Sequence, residues 1–199
     1  IPDDYIVGGS DYFCKMKNIQ DISLEGKRVL IRVDFNVPLD EHFNITDNSR
    51  ILAALPTIKK VISCGGKAIL MSHLGRPKDG FEEKFSLKHI VKQLSKLIDR
   101  TVAFSNDCIG ESTTTDISKM ESGDVLVLEN LRFYKEEKLG GLKFAKQLSE
   151  LADIYINDAF GTAHRAHAST AIIADYFPNN KYFGFLLSGE IESLEKALT

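Results

Sequence analysis

Two histidines, an arginine and an aspartate fall within NDAFGTAHRAH, residues 157–167, directly after the apolar run ADIYI. Residues of these types at this spacing suit a metal site, an acid/base pair, an anion-binding loop or a satisfied turn. His164 and His167 are three positions apart, which brings both rings to one metal ion only on a helix. Gly161 and Thr162 argue for a loop, and no further Cys, His or carboxylate stands at motif spacing. Arg165 between the histidines would repel a cation. The spacing therefore weighs against a metal. Arginine suits phosphate or carboxylate instead, because its fork binds two oxygens at once.

Other strand ends carry similar residues. RVDFNVP supplies Asp34, Asn36 and Pro38; SHLGRP supplies Ser72, His73, Gly75, Arg76 and Pro77; ENLRF supplies Arg132. The chain has seven arginines, and Arg76, Arg132 and Arg165 all follow candidate strands. A fourth, Arg50, lies in TDNSRI, where Asn48 or Ser49 is the expected N-cap. A cation in a first helical turn opposes the helix dipole, and a local rule broken at a pocket points to function. An arginine and a helix amino terminus facing one place both attract an anion. Each charge-assisted hydrogen bond is worth roughly 1.5–3 kcal/mol, so converging arginines would hold a multiply charged small anion.

Each residue also has an ordinary reading. A single loop arginine is usually a solvated charge. His73 could be a hydrogen-bonding loop residue, Asp34 an arginine's partner, and Asn36 the close of a turn. His42 and His89 lie in polar surroundings and read as surface residues. Nucleotide motifs are absent: no G-x-G-x-x-G follows the first strand. SCGGKA, residues 63–68, lacks both the spacing and the Ser/Thr of a phosphate loop. No G-x-S-x-G nucleophile elbow occurs.

The elements that must position these residues follow from the apolar pattern. Strands are expected at residues 27–35, 67–72, 101–104, 125–130, 153–157 and 182–187. Helices are expected at 49–64, after Ser86, at 142–151, near 169–176 and from Ser188 onward. Gly65 and Gly66 should end the first helix. Continuously apolar strands alternating with helices indicate a parallel sheet covered on both faces. The fold expected is α/β, a doubly wound, Rossmann-like six-stranded parallel sheet with helices on both faces. Ligands bind beyond the carboxyl ends of such strands, where the arginines fall. The last helix finds few partners in this chain, which suggests that more protein follows it.

Composition narrows the class further. At 199 residues and a net charge of −3, the protein has no globally basic face for coating nucleic acid. No apolar run approaches the roughly 18 residues a membrane span needs. Cys14, Cys64 and Cys108 are odd in number and widely spaced, which fits neither a disulfide framework nor a zinc site. A reducing compartment suits them best. IPDDYIVGGSDYF is neither a secretory nor a transit segment.

At these residues the sequence resembles phosphoglycerate kinase. RVDFNVPL, the Arg-Ile pair of NSRI, LMSHLGRP, VLENLRF and YINDAFGTAHRAHAS stand in that family's order, and the similarity runs from about Lys27 to the last residue. The resemblance implies two Rossmann-like domains, of which this chain holds the first. Residues 1–15 would be an amino-terminal extension, 16–187 the phosphoglycerate-binding domain and 188–199 the start of the interdomain helix. The partners implied are 3-phosphoglycerate or 1,3-bisphosphoglycerate here, and Mg²⁺ with ATP or ADP on a second domain absent from this chain.

The resemblance also assigns roles. Asp34, Phe35 and Asn36, with Val33, would line the substrate carbon chain. Arg50, beside Ser49, would be catalytic at the transferring end. Ser72, His73, Gly75 and Arg76 would hold the substrate from the second loop. Leu131, Arg132, His164 and Arg165 would add anion contacts, with His167 in a supporting hydrogen bond. No metal site is expected on this half. The whole would be a monomeric, cytoplasmic enzyme of glycolysis. Two alternatives stay open: an isolated anion-binding module with no turnover by itself, and a purely structural α/β domain.

Overall fold

The computed structural model describes residues 17–20, 22–78, 80–159, 161 and 166–198. His164 and Arg165 lie outside the described residues. RVLIR and KAILM form two neighbouring strands, β2 (Arg28–Arg32) and β3 (Lys67–Met71), buried at every position after the first. Burial on both faces is why these runs lack polar alternation. Along the chain come β1 (Lys17–Asn18), β2, α1 (Ser49–Ser63), β3, α2 (Lys88–Ile98), β4 (Val102–Phe104), α3 (Glu111–Ser118) and β5 (Val125–Val127). Then follow α4 (Lys135–Leu139), α5 (Leu142–Ser149), β6 (Ile154–Asn157), β7 (Lys181–Phe183) and α6 (Phe185–Leu198). Short 3-10 turns occupy Glu83–Phe85, Leu131–Phe133 and Ile172–Tyr176.

The strands lie in the order β1-β7-β6-β2-β3-β5-β4, and every pairing is parallel. Alternation along each strand sorts the core into two layers. Val29 and Ile31 pack with Ile51, Ile58 and Val61 of α1 and Ile90 and Leu94 of α2. Leu30, Ile69, Leu126 and Tyr155 pack with Ile117 of α3 and Phe144 and Leu148 of α5. Burying one such side chain is worth about 1.5–3 kcal/mol, so both layers hold the sheet.

The doubly wound, Rossmann-like expectation holds: the six expected strands form the parallel sheet, and among the described residues a two-residue strand joins its edge. The extra strand, β1, pairs Lys17 with Tyr182 and Asn18 with Phe183 at the sheet edge. Two polar residues carry no periodic signal. The expected strand over residues 182–187 is only half strand, because β7 stops at Phe183 and α6 starts at Phe185, not Ser188. The helix expected near 169–176 is the 3-10 turn Ile172–Tyr176. α1 does end as foreseen, with Gly65 at φ 73. Among the described residues no helix is long and apolar enough to cross a membrane.

The chain leaves β2 toward β3 and later resumes on the other side of β2 with β6. This reversal opens a crevice between the carboxyl ends of β2 and β6, where such sheets bind ligands. RVDFNVP leaves β2 there, and NDAFGTAHRAH leaves β6.

Candidate functional site

The crevice is a cleft of about 420 Å³ lined by Asp34, Asn36, Arg50, His73, Arg76, Arg132, Lys138, Gly161 and His167. Four cations thus face one carboxylate. Arg50 sits in the first turn of α1 as expected, but neither expected capping side chain binds the helix end. Asp47 does so instead, its Oδ1 accepting from the Ser49 N–H at 2.8 Å. That bond holds the Asp47 carboxyl below its ordinary range. The Arg50 guanidinium reaches back to the Asp34 carboxylate, and half of its side chain remains exposed.

Asn36 and Gly75 join the first two loops. The Gly75 N–H donates to Asn36 Oδ1 at 2.8 Å, and the Gly75 carbonyl accepts from Arg132 Nη1 at 2.7 Å. Asn130, fully buried, donates to the carbonyls of Leu74 and Phe85 at 2.7 and 2.8 Å and fixes that loop from below. Gly75 has φ 61, and a Cβ there would lie 2.3 Å from the Phe85 ring. Gly75→Ala should therefore cost about 2 kcal/mol in chemical denaturation, through overpacking. It should also weaken anion binding by displacing Asn36 and Arg132. An unchanged denaturation midpoint would contradict this reading.

His73 is buried, and its Nδ1 lies 3.1 Å from Arg32 Nη2. A guanidinium only donates, so Nδ1 accepts and the ring proton sits on Nε2. Burial first, then the charges of Arg32, Arg132, His167 and Arg50, push its pKa down to about 2. His73 is thus a neutral donor at physiological pH, not an acid/base group.

Not every residue named from the sequence faces the cleft. Val33, Phe35 and Leu131 are fully buried in the apolar core, so only their backbone can border a ligand. Strand alternation and the tight turn after β5 put those side chains inward. Ser72 is also buried, its Oγ accepting from the Phe35 N–H at 2.8 Å, and it supports the loop. Ser49 is exposed and is not among the lining residues. Gly161 is helical, against the expected loop. His167 does line the cleft, with Nδ1 3.9 Å from Glu137 Oε1.

Sequence reasoning missed Lys138, which lines the cleft from α4, and the buried Arg32 and Glu137 behind it. Arg32 stands inside RVDFNVP and was available to inspection. Lys138 and Glu137 sit in an unremarked charged helix, and only the fold brings them here.

An open parallel α/β sheet whose strand-end loops converge cations on its reversal point is a domain suited to a small polyanion. The family model for phosphoglycerate kinase matches residues 19–199. The chain belongs to the phosphoglycerate kinase family. The phosphoglycerate kinase of Chlorobaculum tepidum is 53% identical over 182 residues, covering 92% of this chain and 46% of that protein. That of Dictyoglomus turgidum is 55% identical over 181 residues, covering 91% of this chain and 45% of its own length. Among solved structures, phosphoglycerate kinase from Coxiella burnetii superposes with a TM-score of 0.82 at 40% identity, over 92% of this chain and 45% of that one. The chain spans about half the length of the curated relatives it matches.

Proposed function

We propose that this chain is the phosphoglycerate-binding half of a phosphoglycerate kinase. The observation that carries the reading is the cleft at the sheet's reversal point, where Arg50, Arg76, Arg132 and Lys138 face one carboxylate. In the ATP-consuming direction a carboxylate oxygen of 3-phosphoglycerate attacks the γ-phosphorus of ATP. The bond from that phosphorus to the β–γ bridging oxygen breaks, giving 1,3-bisphosphoglycerate and ADP. A carboxylate titrates near pH 4 and is already ionised at neutral pH, so no general base is needed. A site of arginines with a neutral histidine suits that chemistry. Binding and charge stabilisation dominate phosphoryl transfer, and Arg50 takes that role on this side.

The cleft does not fit a resident Mg²⁺, because its cations oppose one. Among the described residues no group of three His, Cys, Asp or Glu side chains could hold a metal. The reading assigns Mg²⁺ with ATP or ADP to the part of the relatives' length that this chain does not span. A monomeric, cytoplasmic, glycolytic enzyme fits the free Cys64 and Cys108 and the family's name.

Calorimetric titration with 3-phosphoglycerate tests the reading. Saturable binding that weakens with salt is expected; no binding would leave only a structural domain. Extending the chain to its relatives' length and assaying phosphoryl transfer separates the kinase from a stand-alone anion-binding module.

Asp34 supplies selectivity. Its Oδ1 accepts from the Asn36 N–H at 3.1 Å, and Oδ2 pairs with Arg50, which leaves acceptor sites for a substrate hydroxyl. Asp34→Ala should weaken 3-phosphoglycerate binding by roughly 10- to 150-fold, the loss of one charge-assisted hydrogen bond. It should leave the analogue lacking the 2-hydroxyl unaffected. Equal losses for both ligands would remove Asp34 from hydroxyl recognition.

A further inference from the structure

From His73 in the cleft wall a chain of buried polar side chains runs inward, and its inner members take no part in the phosphoryl chemistry. Arg32, His73, Glu137 and Ser169 are each less than 5% exposed. Arg32 Nε donates to Ser169 Oγ at 3.0 Å. The Ser169 hydroxyl donates to Glu137 Oε1 at 2.6 Å, and its backbone N–H donates to Oε2 at 3.0 Å. At the other end Arg32 Nη2 donates to His73 Nδ1 at 3.1 Å, while Nη1 donates to the Val33 carbonyl.

Every proton in this chain has one consistent place. A guanidinium can only donate and an ionised carboxylate can only accept. The Ser169 hydroxyl between them must therefore accept from Arg32 and give its single proton to Glu137. No carboxylate among the described residues pairs with Arg32 directly, and a lone buried cation is strongly disfavoured. Glu137 supplies the opposite charge one hydroxyl away. Because Arg32 Nη2 is held against Nδ1 and a guanidinium only donates, His73 must carry its proton on Nε2. That atom has no protein partner among the described residues, and the ring lines the cleft.

Glu137 also reaches the other wall. Its carbonyl accepts from the Ala168 N–H at 2.9 Å, and its Oε1 lies 3.9 Å from His167 Nδ1. Its neighbour Lys138 lines the cleft itself.

We infer that Glu137 is a positioning residue of the anion cleft: through Ser169 and Arg32 it fixes His73 as an Nε2–H donor, and directly it orders the turn carrying His167. The inference rests on the phosphoglycerate-binding reading for its ligand, not for its geometry. Glu137 and Ser169 touch no ligand and act through the residues they hold. In Glu137→Gln Arg32 loses its counter-charge and the anchored acceptor of its Nε; the guanidinium still only donates, so His73 leaves the Nε2–H tautomer as Arg32 moves off Nδ1. In Ser169→Ala the hydroxyl link is gone while the backbone bond to Glu137 survives.

Long-range ¹H–¹⁵N spectra of the histidine rings in the 199-residue chain test this, paired with 3-phosphoglycerate titration and thermal unfolding. In the unsubstituted chain His73 should be a single Nε2–H tautomer. In each variant the two tautomers should mix and the affinity for 3-phosphoglycerate should fall roughly tenfold, as for a lost charge-assisted bond. The double variant should bind no more weakly than the weaker single one, since both break one chain. Variants that melt earlier yet keep His73 wholly as Nε2–H would make Glu137 merely structural and overturn the inference. Should Glu137→Gln fail to fold, Ser169→Ala decides alone. A tautomer shift in a chain that binds no 3-phosphoglycerate supports the relay and refutes the proposed ligand.

Discussion

Replacing Arg50 by alanine, in a chain extended to the length of its relatives, is expected to lower kcat by roughly 10³-fold or more, as removal of transition-state arginines does. The expectation follows from position. Arg50 stands in the first turn of α1, with no acidic residue in that turn to neutralise it. The helix amino terminus adds partial positive charge in the same direction. Half of the side chain is exposed, so it can follow charge that develops on a transferring phosphoryl group. Its ion-pair partner is Asp34, which holds the guanidinium at the cleft rim until an anion competes for it. Arg76, Arg132 and Lys138 remain in the variant, so binding of 3-phosphoglycerate should weaken far less than turnover. A kcat reduced tenfold or less, or a loss confined to KM, would take Arg50 out of the chemistry.

The contrast between Arg50 and Glu137 marks how far the sequence reads. Arg76 and Arg132 were legible because strand-end position and residue type are local signals, and a doubly wound sheet gathers strand ends on one rim; Arg50 was legible from its place in a first helical turn. The two core layers were legible for the same reason, since β2 and β3 are continuous apolar runs. Glu137 was not legible, because its partner Ser169 is 32 residues away, and Ser169 in turn meets Arg32 across 137. Val33, Phe35 and Leu131 show the reverse limit. Family likeness places them beside the ligand, while strand alternation and the tight turn after β5 put their side chains in the core and leave only backbone to border it. The start of α6 failed for a long-range reason too. Residues 182–187 read locally as strand. Three consecutive N–H groups there find acceptors elsewhere, Phe185 on Thr57 Oγ1 and Leu186 and Leu187 on Asp158 Oδ1.

That carboxylate should matter to stability more than any other single group outside the core. Asp158 is fully buried at the end of β6, and its Oδ1 takes the Leu186 and Leu187 N–H groups at 3.0 and 3.3 Å. Gly184 makes the close approach possible, because a Cβ there would lie 2.2 Å from Oδ1. Asp158→Ala should cost about 3 kcal/mol, since it strands two donors at a helix start. For a domain of this size that lowers Tm by roughly 6–12 °C. Asp158→Asn separates the cap from the charge, because its amide oxygen can still accept both bonds. Burial raises the Asp158 pKa, although the Thr57 hydroxyl and then the Leu187 and Leu186 N–H groups oppose the shift. A carboxyl whose folded pKa is raised contributes its stability fully below the unfolded value near 4 and loses it as pH rises through the folded value. The asparagine variant has no such loss. Urea unfolding of both chains should therefore show Asp158→Asn gaining on the unsubstituted chain as pH rises from about 4. Other carboxyls, such as Asp153 paired with Arg28, have lowered pKa values and the opposite slope, but they are common to both chains and cancel in the difference. A difference that stays constant with pH would mean that Asp158 folds without resisting ionisation. The α6 cap would then act through hydrogen bonding alone.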